Sequence, residues 1–264
     1  MGTRNKGFFS LCRGLLADVR GLFYAPVCPV CHRRLVEGEK LLCLECHWNI
    51  PRTDYHLYDN TPLAAKLTDL RIPFERCAAY FFYTRNSPYS QLIRDAKYNH
   101  QPLINHELSR RYARELKPSG FFDGIDLIVP VPIHWLKRLR RGYNQTEYIA
   151  RGISIETDIP VADDLLRSRA HATQTRKSAS QRRISASSAF SIHPSSIPIP
   201  SGSSSATVSP HSFPRQFPSH ILLVDDVITT GSTILSCAAL LRSAFPTARL
   251  SILSLATTPP PASR

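Results

Sequence analysis

Two groups of residues have the types and spacing for chemistry. The first is "LLVDDVITTGST", residues 222–233, where an apolar run meets Asp225 and Asp226, and Thr229, Thr230, Gly231, Ser232 and Thr233 follow closely. A strand that delivers two carboxylates to the carboxyl edge of a sheet puts them where doubly wound proteins bind ligands. The hydroxyl-rich turn then opens a helix at its positive end, with unsatisfied N–H groups and a glycine that lets a ligand approach closely. Carboxylates that accept from sugar hydroxyls, beside donors for a phosphate, suit a ribose 5-phosphate. "LLVDD" also fits the acidic strand of a P-loop ATPase, but that class needs a Gly-Lys pair and the chain has none.

The second group is Cys28-x2-Cys31 ("CPVC") and Cys43-x2-Cys46 ("CLEC"), with eleven residues between the pairs. Each CxxC turns tightly enough to aim both sulfurs at one ion, and four thiolates at tetrahedral reach make a closed structural zinc site. A redox CxxC and a pair of disulfides are the alternatives for the same residues. Cys12, Cys77 and Cys237 stand singly among apolar residues and read as small core residues.

The elements that must hold these groups follow an α/β order. "CAAYFFYT" (77–84) is a β-rich run whose aromatic residues read as core, "SQLIRDAKY" (90–98) and "HELSRRYARELK" (106–117) have helical spacing, and "IDLIVPVP" (125–132) is an apolar strand. "NQTEYIARGIS" is helical. "HILLVDD", "TILSCAALLRSAF" and "ARLSILSLAT" close the chain as strand, helix and strand. Strands alternating with helices predict a mainly parallel sheet with helices on both faces.

Domain organisation is expected as an amphipathic N-terminal segment (1–24), a four-cysteine ribbon (25–55) and an α/β domain (76–264). "NIPRTDYHLYDNTPLAAKL" reads as an irregular linker. Residues 191–219, rich in Ser and Pro without periodicity, read as a disordered insertion in the α/β domain.

The 264 residues carry a net charge of +13, which favours anionic partners such as phosphate esters or nucleic acid. No acidic residue occurs between Asp164 and Asp225, and that gap opens with the basic stretch "RSRAHATQTRKSASQRR". No apolar run is long enough for a bilayer span. Arg13, Asp18 and Arg20 interrupt any signal-peptide core, so a reducing cytoplasm with metal-bound thiolates is expected. Arg138, Arg140 and Arg141 have the planar donors for phosphate. His134 and Trp135 beside them read as packing residues rather than catalytic or stacking groups, and Lys97 as a helix cap rather than a phosphate ligand.

"LLVDDVITTGST" resembles the phosphoribosyl pyrophosphate (PRPP) motif of the type I phosphoribosyltransferases. With the four-cysteine module, "IVPVPIHWLKRLRRGYNQTEYIA" and "TQTRKSASQRRISASSAF", the order of motifs resembles the ComF family of competence-associated proteins from about Tyr24 to Ala256. The resemblance implies a type I phosphoribosyltransferase-like fold behind a zinc ribbon. It also implies PRPP with Mg²⁺ as ligand, a link to DNA uptake, and pentosyl transfer if catalysis is retained. Asp225 and Asp226 would hold the ribose hydroxyls, and Thr229 to Thr233 the 5-phosphate. Arg138, Arg141, Gly142, Asn144 and Gln145 match the family's basic signature as pyrophosphate or substrate contacts. Gln174 and Arg182 fall in the segment, ending at Phe190, that matches a loop over the site. The chain departs from the family at Lys177, where leucine is usual, and at Ser185, where asparagine is usual. A non-enzymatic single-stranded DNA-binding accessory of DNA uptake or recombination is the alternative function, with DNA or DNA-uptake proteins as partners.

Overall fold

The computed structural model describes residues 26–58, 61–67, 72–168, 190–193 and 218–260. The N-terminal segment, Gln174, Lys177, Arg182, Ser185, Cys12 and most of the Ser/Pro-rich stretch lie outside the described residues. The chain divides into two compact units, Met1–Ile50 and Pro51–Arg264.

In the first unit, two tight turns carry the cysteines. Cys28 N–H donates to Arg33 O and His32 N–H to Cys28 O, both at 2.8 Å, and Val27 bridges Arg34. Helix α1 (Leu44–Trp48) starts at the second pair, with Cys43 as its N-cap accepting from the Cys46 amide. Glu39 ties the connection by accepting from the amides of Val36 at 2.9 Å and Leu44 at 2.6 Å. Apart from cysteines, the buried apolar residues among the described ones are Leu42 and Ile50.

The second unit is built on a parallel sheet. In chain order it comprises a 3-10 turn (Tyr55–Leu57), α2 (Pro62–Leu67), β1 (Cys77–Phe82), α3 (Pro88–Tyr98), α4 (Pro102–Leu116) and β2 (Leu127–Pro130). There follow α5 (Trp135–Arg141), α6 (Gln145–Thr157), β3 (Leu166–Ser168), β4 (Phe190–Ile192), β5 (His220–Ile228), α7 (Ser232–Ala244) and β6 (Arg249–Thr257). The strand order is β1-β6-β5-β2, every pairing parallel, as the α/β alternation predicts. Ala79, Val129, Leu223 and Ile252 share one core cluster with Leu63 and Leu67 of α2 and Ile234 and Leu241 of α7. Side chains alternate along each strand, so buried Tyr80, Ile128, Leu222 and Leu253 belong to the other face, which α4 and α6 cover. Those two helices pack closely because position 152 is glycine: a Cβ there would run into Ser109 Oγ and the His106 carbonyl oxygen.

Three expectations are corrected. Residues 51–67 are part of the second unit's packing rather than a linker: Tyr55, Leu63 and Leu67 are buried, and Phe82 N–H donates to Pro51 O at 2.9 Å. Arg52 forks onto Glu115 at 3.0 and 3.1 Å, and Tyr80 OH donates to the same carboxylate at 2.9 Å. Prolines and mixed polarity hid this anchoring, because each short piece buries only one or two side chains. Secondly, the stretch beginning at residue 191 opens inside an ordered pairing. β4 runs antiparallel to β3, Leu166 facing Ile192, and Phe190 and Ile192 pack on the core. At its other end Ser219 donates to Asp126 Oδ2 from both its amide and its hydroxyl, each at 2.7 Å. Thirdly, β5 does not stop at the aspartates. Val227 and Ile228 continue the pairing with Ala256 and Thr257 of β6.

Candidate functional site

Strand β5 sets the two aspartates on opposite faces of the sheet. In register, Asp225 lines up with Ser254 and shares the face of Leu223 and α7, while Asp226 takes the opposite face, toward α3. Both are partly buried, and Asp225 Oδ1 accepts from the Asp226 amide at 2.8 Å. Burial, then the neighbouring Asp226 charge, pushes the Asp225 carboxyl up to about 8.

Lys97, in the last turn of α3, completes the group. Its Nζ lies 2.9 Å from Asp226 Oδ2, with side-chain exposures of 22% and 14%, so this ion pair is largely withdrawn from water. Burial works against the ammonium, but the Asp226 and Asp225 charges outweigh it and hold the Lys97 pKa above its ordinary value. The helix-cap reading of Lys97 is wrong. Asn99 is the C-cap of α3, and the lysine side chain reaches across to β5.

Directly after β5, Gly231 adopts φ +78° and serves as the N-cap of α7 without any side-chain cap. The left-handed backbone favours glycine, and a Cβ would fall 2.6 Å from Leu67 Cδ2. Thr229, Thr230, Ser232 and Thr233 are exposed around this turn, and Thr230 Oγ1 lies 3.2 Å from Ser232 Oγ. The first N–H groups of a thirteen-residue helix therefore lack a side-chain cap, beside four hydroxyls. This can cradle a phosphate.

The basic signature separates into two roles. Arg141 donates to Gln145 Oε1 at 3.1 Å and lies with its Cζ 5.1 Å from the Tyr98 ring centroid, next in sequence to Lys97. Its charge is felt at Lys97, so it belongs to the aspartate side. Gly142, at φ +79°, ends α5. Asn144 is buried and occupied: it caps α6 by accepting from Thr146 N–H, and its Nδ2 donates to Val131 O at 3.2 Å. Thr146 Oγ1 donates to the same carbonyl at 2.6 Å. Asn144 thus pins the end of "VPVP" instead of presenting its amide to a ligand. The sequence signal was Asn144 with Glu147 three residues on, a helix-start pattern. Gln145 is buried, with its Nε2 lacking a hydrogen-bond partner.

Arg138 faces elsewhere. It donates to Glu147 Oε1 at 2.9 Å and lines a cleft of about 390 Å³ with Trp135, Arg151 and Arg167. Trp135 is 48% exposed, and its ring meets His134 at 6.0 Å between centroids. Trp135 therefore packs at the surface rather than in the core, and no residue of α5 is buried.

In the first unit, the sulfurs of Cys28, Cys31, Cys43 and Cys46 all lie within 4.8 Å of one another, and none of the four forms a disulfide. Tetrahedral thiolates around zinc stand about 3.8 Å apart for Zn–S bonds of about 2.3 Å. Cys31 Sγ to Cys43 Sγ, at 3.6 Å, fits that spacing. Burial works against the Cys28 thiolate, but backbone donors led by Cys43 outweigh it and lower that thiol to about 7, while burial pushes Cys46 up. The donor set fits a metal such as zinc.

No protein-family model matches the chain. Competence protein F of Haemophilus influenzae is 33% identical over 159 residues, covering 59% of this chain and 62% of that protein. The chain thus spans somewhat under two thirds of that relative's length. DNA utilization protein YhgH of Escherichia coli K12 is 29% identical over 242 residues, covering 89% of this chain and 90% of the relative. Among solved structures, an adenine phosphoribosyltransferase from Leishmania donovani shares 15% identity at a TM-score of 0.32, over 76% of this chain and 81% of that one, a likeness too slight to add to the topology above. The similarity to these two relatives, which for YhgH runs over 89% of the chain, supports a ComF-family protein.

Proposed function

We propose that the chain binds PRPP with Mg²⁺ at the carboxyl edge of β5 and serves in DNA uptake or in the nucleotide metabolism that follows it. The observation that carries this reading is the partly buried Asp225–Asp226 pair, with Lys97 on Asp226, directly before the uncapped start of α7. The ribose hydroxyls would meet the two carboxylates, and the 5-phosphate the amides and hydroxyls of Thr229 to Thr233. Mg²⁺ would neutralise the diphosphate as it leaves the anomeric carbon. Arg141 and Lys97 supply positive charge at that end of the site. No described side chain stands out as a general base.

In the first unit we propose one structural zinc on Cys28, Cys31, Cys43 and Cys46. The names of the relatives speak of competence and DNA utilization, which sets the role proposed here; among the described residues no helix is long and apolar enough to cross a membrane. A cytoplasmic location is part of the same proposal. Titration of PRPP by calorimetry, with and without Mg²⁺, tests the reading, followed by a screen of purine and pyrimidine bases for pyrophosphate release. Heat on PRPP addition that depends on Mg²⁺ supports it; no heat in either condition removes it.

A second reading, single-stranded DNA binding without group transfer, is favoured by one observation, the cationic helix α5, which buries none of its residues.

A further inference from the structure

We propose that α5 and the cleft beside it form a contact site for single-stranded DNA, with Trp135 as the platform on which a base stacks. The proposal rests on the DNA side of the function above and supplies a location for it. Four of the seven residues of α5, Lys137, Arg138, Arg140 and Arg141, are cationic, and none is acidic. The other three are apolar and open to solvent: Trp135 at 48%, Leu136 at 49% and Leu139 at 76% exposure. A seven-residue helix is far too short to persist alone in water. Here it buries nothing, yet it is held at several points. His134 Nδ1 accepts from the Leu136 amide at 3.3 Å, Arg138 grips Glu147, and Arg141 rests on Tyr98. The fold therefore holds an aromatic and cationic surface out to solvent.

The chemistry of that surface decides among anionic partners. Seven helical residues span about 10 Å, enough for cations to follow a strand past more than one phosphate. Trp135 lines the cleft together with the cations of Arg138, Arg151 and Arg167 and the carboxylates of Asp163, Asp164 and Glu147, the last with a side-chain exposure of 10%. The Glu147 oxygens can accept from the amino group of a base, and the exposed guanidinium of Arg138 can reach a phosphate. An aromatic ring for the base face with cations for the backbone is how unpaired strands are held without strong sequence preference. A duplex keeps its base faces stacked and would use only the cations. A lipid surface would use Leu136 and Leu139 but neither the cleft nor Glu147.

The chain has two tryptophans, so Trp48→Phe leaves Trp135 as the sole indole reporter. In that background, titration with oligothymidylate should quench Trp135 emission, with an affinity that falls steeply as salt rises. Trp135→Ala should weaken oligonucleotide binding, followed by anisotropy of a labelled strand, roughly tenfold or more. Trp135→Phe should recover part of the loss, and Lys137→Gln with Arg140→Gln should flatten the salt slope. PRPP titration of Trp135→Ala runs alongside and should be unchanged, which separates this site from the aspartate site. Unchanged strand affinity in Trp135→Ala overturns the proposal. So does equal binding of duplex, or quenching by anionic phosphatidylglycerol vesicles with none by the oligonucleotide. Quenching by thymidine monophosphate as strong as that by the strand would also overturn it, because the site would then bind a nucleotide rather than a strand.

Discussion

Lys97 and Asp226 form the ion pair, Nζ to Oδ2 at 2.9 Å, that joins the end of α3 to the acidic strand β5. Tyr98, the next residue, meets Arg141 through its ring, so two adjacent residues of α3 reach the aspartates and the basic helix. The end of α3 thus links the parts of the proposed site that come from distant stretches of sequence.

This pair gives a double-mutant cycle. Asp226→Asn leaves a largely buried ammonium without its counter-ion, and Lys97→Met leaves the carboxylate so. Each single change is expected to cost about 1–3 kcal/mol in denaturant unfolding. The double variant should cost less than the sum of the two. Additive losses would show that the pair contributes no coupling.

Metal content is the test of the cysteine cluster. Mass spectrometry of the intact protein should find one zinc per chain, and Cys28→Ser with Cys43→Ser should abolish it. Chelation should expose amides of the 26–50 region to hydrogen exchange while β5 and β6, which have their own core, stay protected. Metal-free protein with an equally protected 26–50 region would contradict the assignment.

Acid stability should report Glu156. Hydrogen bonds from Arg114 and then Arg110, each with a contact of 2.7 Å, hold its carboxyl down to about 2. A carboxylate depressed on folding contributes stability that is present above its unfolded value near 4.5. That contribution drains away as pH falls toward about 2. Urea midpoints of the wild type should drop across this window, and Glu156→Gln should start lower and drop less. The same slope in both proteins would place the acid sensitivity elsewhere.

The two ends of the Ser/Pro-rich stretch set where it can be cut. Joining His193 to Pro218 through a short Gly/Ser linker keeps β4 and the Ser219–Asp126 bonds, and should leave the melting temperature nearly unchanged. Joining Phe190 to His220 removes both and should lower it measurably. Equal melting temperatures in the two deletions would mean that neither anchoring contact matters to stability.

The elements legible in the sequence are those whose own pattern carries them. The run before Asp225 is apolar because β5 is buried on both faces, and Gly231 marks the turn into α7. The cysteine spacing, too, is local. Lys97 against Asp226 was not legible, because nothing near either residue names the other; only the crossing of α3 over the sheet brings them together. Asn144 reads as a substrate contact only through the resemblance to the family's basic signature, while Asn144 and Glu147 also spell a helix start. α5 escaped the reading altogether: it buries no face, so it leaves no apolar period to find.

The central claim is that Asp225 and Asp226 hold the ribose of PRPP. The most direct measurement is calorimetric titration of PRPP with Mg²⁺ into the wild type and into Asp225→Asn/Asp226→Asn. Amides keep the shape but lose an acceptor oxygen in each side chain and, at Asp226, the charge-assisted bonds to sugar hydroxyls, about 1–3 kcal/mol. The account predicts Mg²⁺-dependent binding in the wild type and an affinity lower by roughly tenfold or more in a double variant that still unfolds cooperatively. No binding by the wild type, or equal affinity in the two proteins, would contradict it.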